Sequence, residues 1–109
     1  MSTQQIEFGL DTFLPVTVDR AGRPLGGDQV IRNAVEEAVL ADSVGIDSFN
    51  IGEHYRPEFM DSAGHVILAA IAGRTERIRL GTAVTVLSTQ DPVRVYTDFA
   101  TLDAVSNGR

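Results

Sequence analysis

The sequence predicts an α/β protein with parallel strands, and three observations carry that expectation. β-like apolar runs occur around Ile6, Phe8 and Leu10, from Ser48 to Ile51, and from Ile78 to Val84. Each is followed by a segment with helical periodicity. The strand starts stand about 30 to 40 residues apart, the spacing of βαβ units with right-handed crossovers. Two architectures fit this order: a doubly wound sheet and the first part of an eight-fold barrel. A nucleotide-binding doubly wound sheet usually carries a Gly-rich turn directly after its first strand. Here Leu10-Asp11-Thr12-Phe13 follows, and no G-x-G-x-x-G occurs anywhere, which leans toward the barrel.

The first strand rests on Ile6, Phe8 and Leu10 alternating with Glu7 and Gly9, with Phe13, Leu14 and Val16 extending it or lining the loop beyond. The stretch from Pro15 to Gly27 holds Pro15, Gly22, Pro24, Gly26 and Gly27 and reads as a long loop. Asp28 is the expected N-cap of a helix over Gln29 to Val44. Ile31, Ala34, Val35, Ala38 and Ala41 recur there at steps of three and four and make one apolar face. Gly45 supplies a left-handed C-cap. After the second strand, Val66, Ile67, Ala69, Ala70 and Ile71 form a small-residue helix ending near Gly73. Pro92 opens a third helix, since its fixed φ suits a first turn, and Val95, Tyr96, Phe99, Leu102 and Val105 give it an apolar stripe.

With 109 residues the chain holds one domain at most. It has no cysteine, so disulfides, zinc–thiolate sites and thiol nucleophiles are excluded. The net charge of -6 and the absence of a basic patch argue against a nucleic-acid partner. All nine basic residues are Arg, which excludes Schiff-base or P-loop lysine chemistry in this segment. No apolar run approaches the roughly 20 residues that span a bilayer. Met1-Ser2-Thr3-Gln4-Gln5 lacks a basic-then-apolar signal pattern, so the expected location is cytoplasmic. No spacing of His and carboxylates suits a metal ion.

The segment Gly52-Glu53-His54-Tyr55-Arg56 carries the most chemistry. It puts two ionisable side chains and a phenol where the second strand gives way to a loop, at the sheet edge where parallel α/β proteins bind ligands. The third strand should end beside it. Plainer readings cover the other polar residues. His65, at a helix start, reads as a surface or capping residue, and Asp103 as a packing or capping contact. Arg74, Arg77 and Arg79 alternate with Thr75, Glu76 and Ile78, as in a solvated turn.

Several segments, in order, resemble the bacterial-luciferase-like flavin monooxygenases. They are Phe8-Gly9-Leu10-Asp11-Thr12-Phe13, Ala41-Asp42-Ser43-Val44-Gly45-Ile46-Asp47, Gly52-Glu53-His54-Tyr55-Arg56 and Leu68-Ala69-Ala70-Ile71-Ala72. Thr75-Glu76-Arg77-Ile78-Arg79-Leu80-Gly81-Thr82-Ala83-Val84-Thr85-Val86-Leu87 is the strongest match, followed by Asp91-Pro92-Val93-Arg94-Val95. Phe99-Ala100-Thr101-Leu102-Asp103 and Ser106-Asn107-Gly108-Arg109 close the series. The family fold is a (β/α)8 TIM-type barrel, so the resemblance implies that residues 1–109 are the N-terminal part of a barrel domain. That part is its first three βα units, truncated and expected to be inactive alone. Such a piece is expected to expose inner-barrel apolar surface and two unpaired sheet edges.

The resemblance also implies an activity: insertion of one oxygen of O2 into a small organic substrate, using reduced FMN supplied by a partner flavin reductase. A deazaflavin-dependent hydride-transfer oxidoreductase of the same superfamily is the alternative, and a non-catalytic oligomerisation fragment a third reading. His54 matches the family's catalytic His, a side chain suited to proton transfer near physiological pH. Tyr55 stands where many members have a second His. Glu53 is left to orient His54 or to bond the backbone. Thr82, Ala83 and Val84 match the segment that packs against the flavin ring, with a non-proline cis peptide expected between Ala83 and Val84. Asp61-Ser62-Ala63-Gly64 departs from the family pattern, which has Pro at the position of Gly64. A homo-oligomer built through the second and third helices is also implied.

Overall fold

The computed structural model describes residues 5–109, so the reading of Met1-Ser2-Thr3-Gln4 lies outside the described residues. Three strands, β1 (Gly9–Thr12), β2 (Ser48–Ile51) and β3 (Arg79–Thr82), form one parallel sheet in the order β1-β2-β3. Helices α1 (Gly27–Val44), α2 (Gly64–Ala72) and α3 (Pro92–Val105) follow them in turn. The β-α alternation and the parallel strands are as the periodicity predicts.

The pairing register runs Gly9↔Ser48↔Arg79 to Thr12↔Ile51↔Thr82 without a slip. Phe49 and Ile51 therefore point to the same side and are buried against Val30, Ala34, Ala38 and Ala41 of α1 and Ile67, Leu68 and Ile71 of α2. Fully burying a side chain of this size is worth about 1.5–3 kcal/mol. These residues make one core, with Leu102 the buried residue contributed by α3.

The opposite face differs from the expected apolar inner surface. Its residues are Gly9 and Asp11, Ser48 and Asn50, and Arg79 and Gly81, all polar or without a side chain. A cluster of uncovered apolar side chains lies at the β1 edge on the helix side, where Leu10, Leu40, Val44 and Ile46 line a shallow groove and Phe8 is 64% exposed.

Three element boundaries depart from the sequence reading. β1 starts at Gly9 rather than Ile6, because pairing begins only where the Phe8 carbonyl accepts from the Asp47 and Ser48 amides. Asp28 is not the N-cap of α1: Gly26 takes that position, and Asp28 sits in the first turn, 2.8 Å from Arg32. There its charge complements the positive helix end. β3 stops at Thr82 rather than Val84, and the Ala83–Val84 peptide bond that follows is cis. Two other helix ends match: Gly45 is left-handed at φ 89°, and α3 opens at Pro92, where Asp91 Oδ1, not foreseen as a cap, accepts from the Val93 and Arg94 amides.

Two polar side chains tie the entry of β3 to the helices. Asp42, near the end of α1, accepts from the Glu76, Arg77 and Ile78 amides at 2.8–3.1 Å and fixes the turn before β3. Arg109 commits its guanidinium to Ser106, Thr75, Ile78 and Ala72 oxygens, while its carbonyl accepts from Leu80 N at 2.8 Å. Arg74 pairs with Glu36 in the solvated turn, whereas Arg79, read as part of that turn, is the first residue of β3 and pairs with Glu7.

Burial pushes the Asp42 carboxyl upward, but the three backbone amides and the Arg77 charge outweigh it and hold the group below its ordinary value of 3.8. A carboxyl whose folded value is depressed contributes stability above its unfolded value and loses it as pH falls through the folded one. Melting temperatures of Asp42→Asn and wild type, followed below pH 3.8, are expected to converge. A constant gap between the two curves down to pH 2 would contradict this role.

Candidate functional site at the strand ends

The even register makes all three strands finish at one level. Gly52 N donates to Thr12 O and Ala83 N to Ile51 O, both at 2.9 Å, so the ladder continues one residue past each strand. The connecting loops then leave from a common edge. Gly52 must be a glycine here, because a Cβ would overlap the Phe13 ring and approach the Ala83 carbonyl.

His54, two residues past Gly52, is half-buried between two rings, with centroids 4.7 Å from Phe13 and 5.0 Å from Phe59. Phe13 and Phe59 meet edge-on at 6.2 Å. The His54 amide donates to Asp61 Oδ1 at 2.9 Å, and Asp61 is fully buried.

Glu53 does not orient His54. Its carboxylate reaches across to the loop after β3, accepting from Val86 N at 2.6 Å and Gln90 Nε2 at 2.7 Å. The Tyr55 hydroxyl donates to the same group and lies 3.4 Å from the Thr89 hydroxyl. Burial pushes the Glu53 carboxyl up, while Tyr55, Val86, Gln90 and the nearby His65 outweigh it, leaving it below the usual carboxylate range. A buried carboxylate with several donors is stable as an anion. Tyr55 acts here as a donor to this latch.

Thr82, Ala83 and Val84 part company in their orientation. The Thr82 hydroxyl bonds Thr85 at 2.8 Å and lines a cavity of about 20 Å³ on the helix side, beside His65, Gln90 and Asp98. That space holds about one water and excludes a ring. Val84 is 66% exposed. His65, in the first turn of α2, makes no cap: it sits half-buried against α3, 3.6 Å from Asp98 and 6.3 Å from the Phe99 ring. Sequence reasoning did not single out Phe59, Asp61 or Gln90 as site residues. Asp61 carried a faint signal, a lone acid between Met60 and Ser62 ahead of a wholly apolar helix. Among the described residues no helix is long and apolar enough to cross a membrane.

Parallel strands that gather ionisable side chains at their C-terminal ends define the ligand-binding edge of α/β barrel and doubly wound proteins. Within that class the chain belongs to the luciferase-like monooxygenase family, whose model matches residues 10–109. It is 38% identical over 84 residues to an F420-dependent glucose-6-phosphate dehydrogenase of Amycolatopsis mediterranei, covering 72% of this chain and 25% of that protein. The alkanal monooxygenase alpha chain of the Kryptophanaron alfredi symbiont is 35% identical over 82 residues, 74% of this chain and 23% of that one. Among solved structures, the oxygenating constituent of 3,6-diketocamphane monooxygenase from Pseudomonas putida, in complex with FMN, superposes with a TM-score of 0.80 at 31% identity. It aligns over 95% of this chain and 28% of its own. Monooxygenase RslO1 from Streptomyces bottropensis gives a TM-score of 0.81 at 31% identity over 95% of this chain and 31% of its own. The chain thus spans about a quarter of the length of the curated relatives it matches.

Replacing Glu53 by Gln keeps the shape but sets an amide where only acceptors are wanted. The Glu53→Gln variant is expected to lose about 1–3 kcal/mol of stability. Proteolysis within residues 84–90 should also quicken. Unchanged melting and cleavage would show that the latch contributes nothing.

Proposed function

We propose that this segment is the N-terminal portion of a flavin-dependent monooxygenase that inserts one oxygen of O2 into a small organic substrate. The observation that carries the reading is His54, bracketed by Phe13 and Phe59 at the end of β2, beside the exposed Ala83–Val84 segment at the end of β3.

The residues present fit the ring of a flavin. Ala83 is small and exposed, and Val84 is exposed and apolar, while the Phe13 ring fills the space beside Gly52, so a flat ring would lie over the platform of Ala83 and Val84 rather than against Gly52. They do not supply a phosphate site, because Arg56 at this edge pairs with Glu58. Ala83 and Val84 would hold the ring, with Thr82 supporting them from the helix side through Thr85. Reduced FMN, when bound, supplies the electrons that activate O2. The chain's own contribution is positional and protic: the Phe13–His54–Phe59 cluster keeps water from one side of the platform, and an imidazole nitrogen of His54 gives or takes the proton.

The same reading carries a partner reductase that delivers reduced FMN, and a homo-oligomer through α2 and α3. Tyr96 is 74% exposed on α3, and Ala69, Leu102 and Val105 line an open groove between the two helices, which supports that contact. The F420-dependent relative favours a second reading, hydride transfer with a deazaflavin, over the same strand ends. Oxygen uptake by the full-length protein with reduced FMN, against substrate oxidation with the deazaflavin, separates the two.

In the full-length enzyme, His54→Ala is expected to lower turnover by roughly 10²–10⁴-fold with little change in flavin affinity. Full activity in that variant would remove His54 from the chemistry. Ala83→Phe puts bulk on the platform. A folded Ala83→Phe protein is expected to bind no FMN in a fluorescence titration, and wild-type binding would exclude this strand end as the ring surface.

A further inference from the structure

We infer that Asp61 is a positioning residue for His54, an inference that rests on the acid–base reading of that imidazole. Asp61 is fully buried, and its two oxygens are used unequally. Oδ1 accepts from the His54 amide at 2.9 Å, while Oδ2 is buried without a hydrogen-bond partner. A buried carboxyl with an idle oxygen costs free energy, so stability alone would favour an apolar residue at this position. What it does accomplish is local.

The 54–61 loop is tied down near its far end. Val16 N bonds Glu58 O at 2.8 Å, and Met60 N bonds Leu14 O at 3.0 Å. At its near end the amide of His54 is held by Asp61. Fixing that amide fixes the direction in which the His54 side chain leaves the backbone. Phe13 and Phe59 then restrict the ring itself, from a strand end and from the same loop. Asp61 thereby acts on the imidazole through the main chain, seven residues away, without touching it.

The test uses the full-length protein with Asp61→Leu, which keeps the size and removes the acceptor, and Asp61→Asn, which keeps an acceptor oxygen. Both are made with His54 and with His54→Ala. Asp61→Leu is expected to lower kcat by roughly 10- to 100-fold, the effect of a small misplacement, with flavin affinity unchanged. Asp61→Asn is expected to recover most of that loss. On the His54→Ala background Asp61→Leu should cost nothing further, because the side chain it positions is gone. Additive losses would overturn the inference and leave a general structural role.

A second readout does not depend on turnover. Amide exchange in peptides spanning residues 53–60 is expected to be about tenfold faster in Asp61→Leu, as for loss of one hydrogen bond. Unchanged exchange would overturn the inference whatever the activity. Should Asp61→Leu fail to fold, Asp61→Ser, too short to reach the His54 amide, carries the same two measurements. Full turnover in His54→Ala alone would overturn the acid–base reading, while the exchange measurement would still decide whether Asp61 anchors His54.

Discussion

Everything at the functional edge depends on three parallel strands ending at the same height. Parallel pairing leaves no hairpin to set register, so it must be fixed by the residues that enter and leave the strands. At the entry, Asp47 Oδ2 accepts from Phe8 N at 2.8 Å, and Asp42 gathers the three amides before β3. At the exit, the ladder bonds of Gly52 and Ala83 hold for one more residue. A slip of one residue in either pair would turn Phe49 and Ile51 away from the helices and would carry His54 and Ala83 to different levels. The burial that stabilises the sheet and the alignment that makes the site are thus one constraint.

Past the strand ends, two neighbouring acids divide the work of holding the loops. Glu53 reaches forward, fastening the segment after β3 through Val86 and Gln90. Asp61 reaches back, holding the His54 main chain. Both carboxylates accept from main-chain amides, so neither draws on scarce cations. This suits a segment whose arginines are mostly engaged elsewhere: Arg74 with Glu36, Arg79 with Glu7, and Arg109 with carbonyls around α2 and β3.

Much of this was legible in the sequence, and the physical reason differs from element to element. β2, the Gly45 cap and the Pro92 start are written in short-range chemistry, where one residue decides its own backbone conformation. His54 and Ala83–Val84 were legible through resemblance, and the loops do bring them out on adjacent strands. What stayed hidden is long-range. Periodicity starts β1 at Ile6, but the strand exists only where β2 offers partners. Asp28 has the chemistry of an N-cap, yet Gly26 opens the helix two residues earlier than Asp28 would. Asp61 looks like any loop acid until the fold carries it back to the His54 amide. Glu53 reads as orienting His54 or bonding the backbone; it does the latter, and only the fold shows that the amide belongs to Val86, with Gln90 beside it, more than thirty positions away.

The distribution of exposed surface separates what the site needs from what the sheet needs. The sheet face opposite the helices is polar, with Asp11, Asn50 and Ser48 set among glycines, so water can wet it without much cost. The demand for cover sits sideways, at the β1 edge, where Phe8, Leu10, Leu40 and Val44 are exposed together. Unpaired strand edges and clustered apolar side chains are surfaces that further structure ordinarily covers. Neither lies among the anchors of the strand-end loops. Gly52, Glu53 and Asp61 find their partners in Phe13, Val86, Gln90 and His54, all within this segment. Cover at the β1 edge therefore bears on the stability of the sheet, while the placement of His54 beside Ala83–Val84 is a local property of these three βα units.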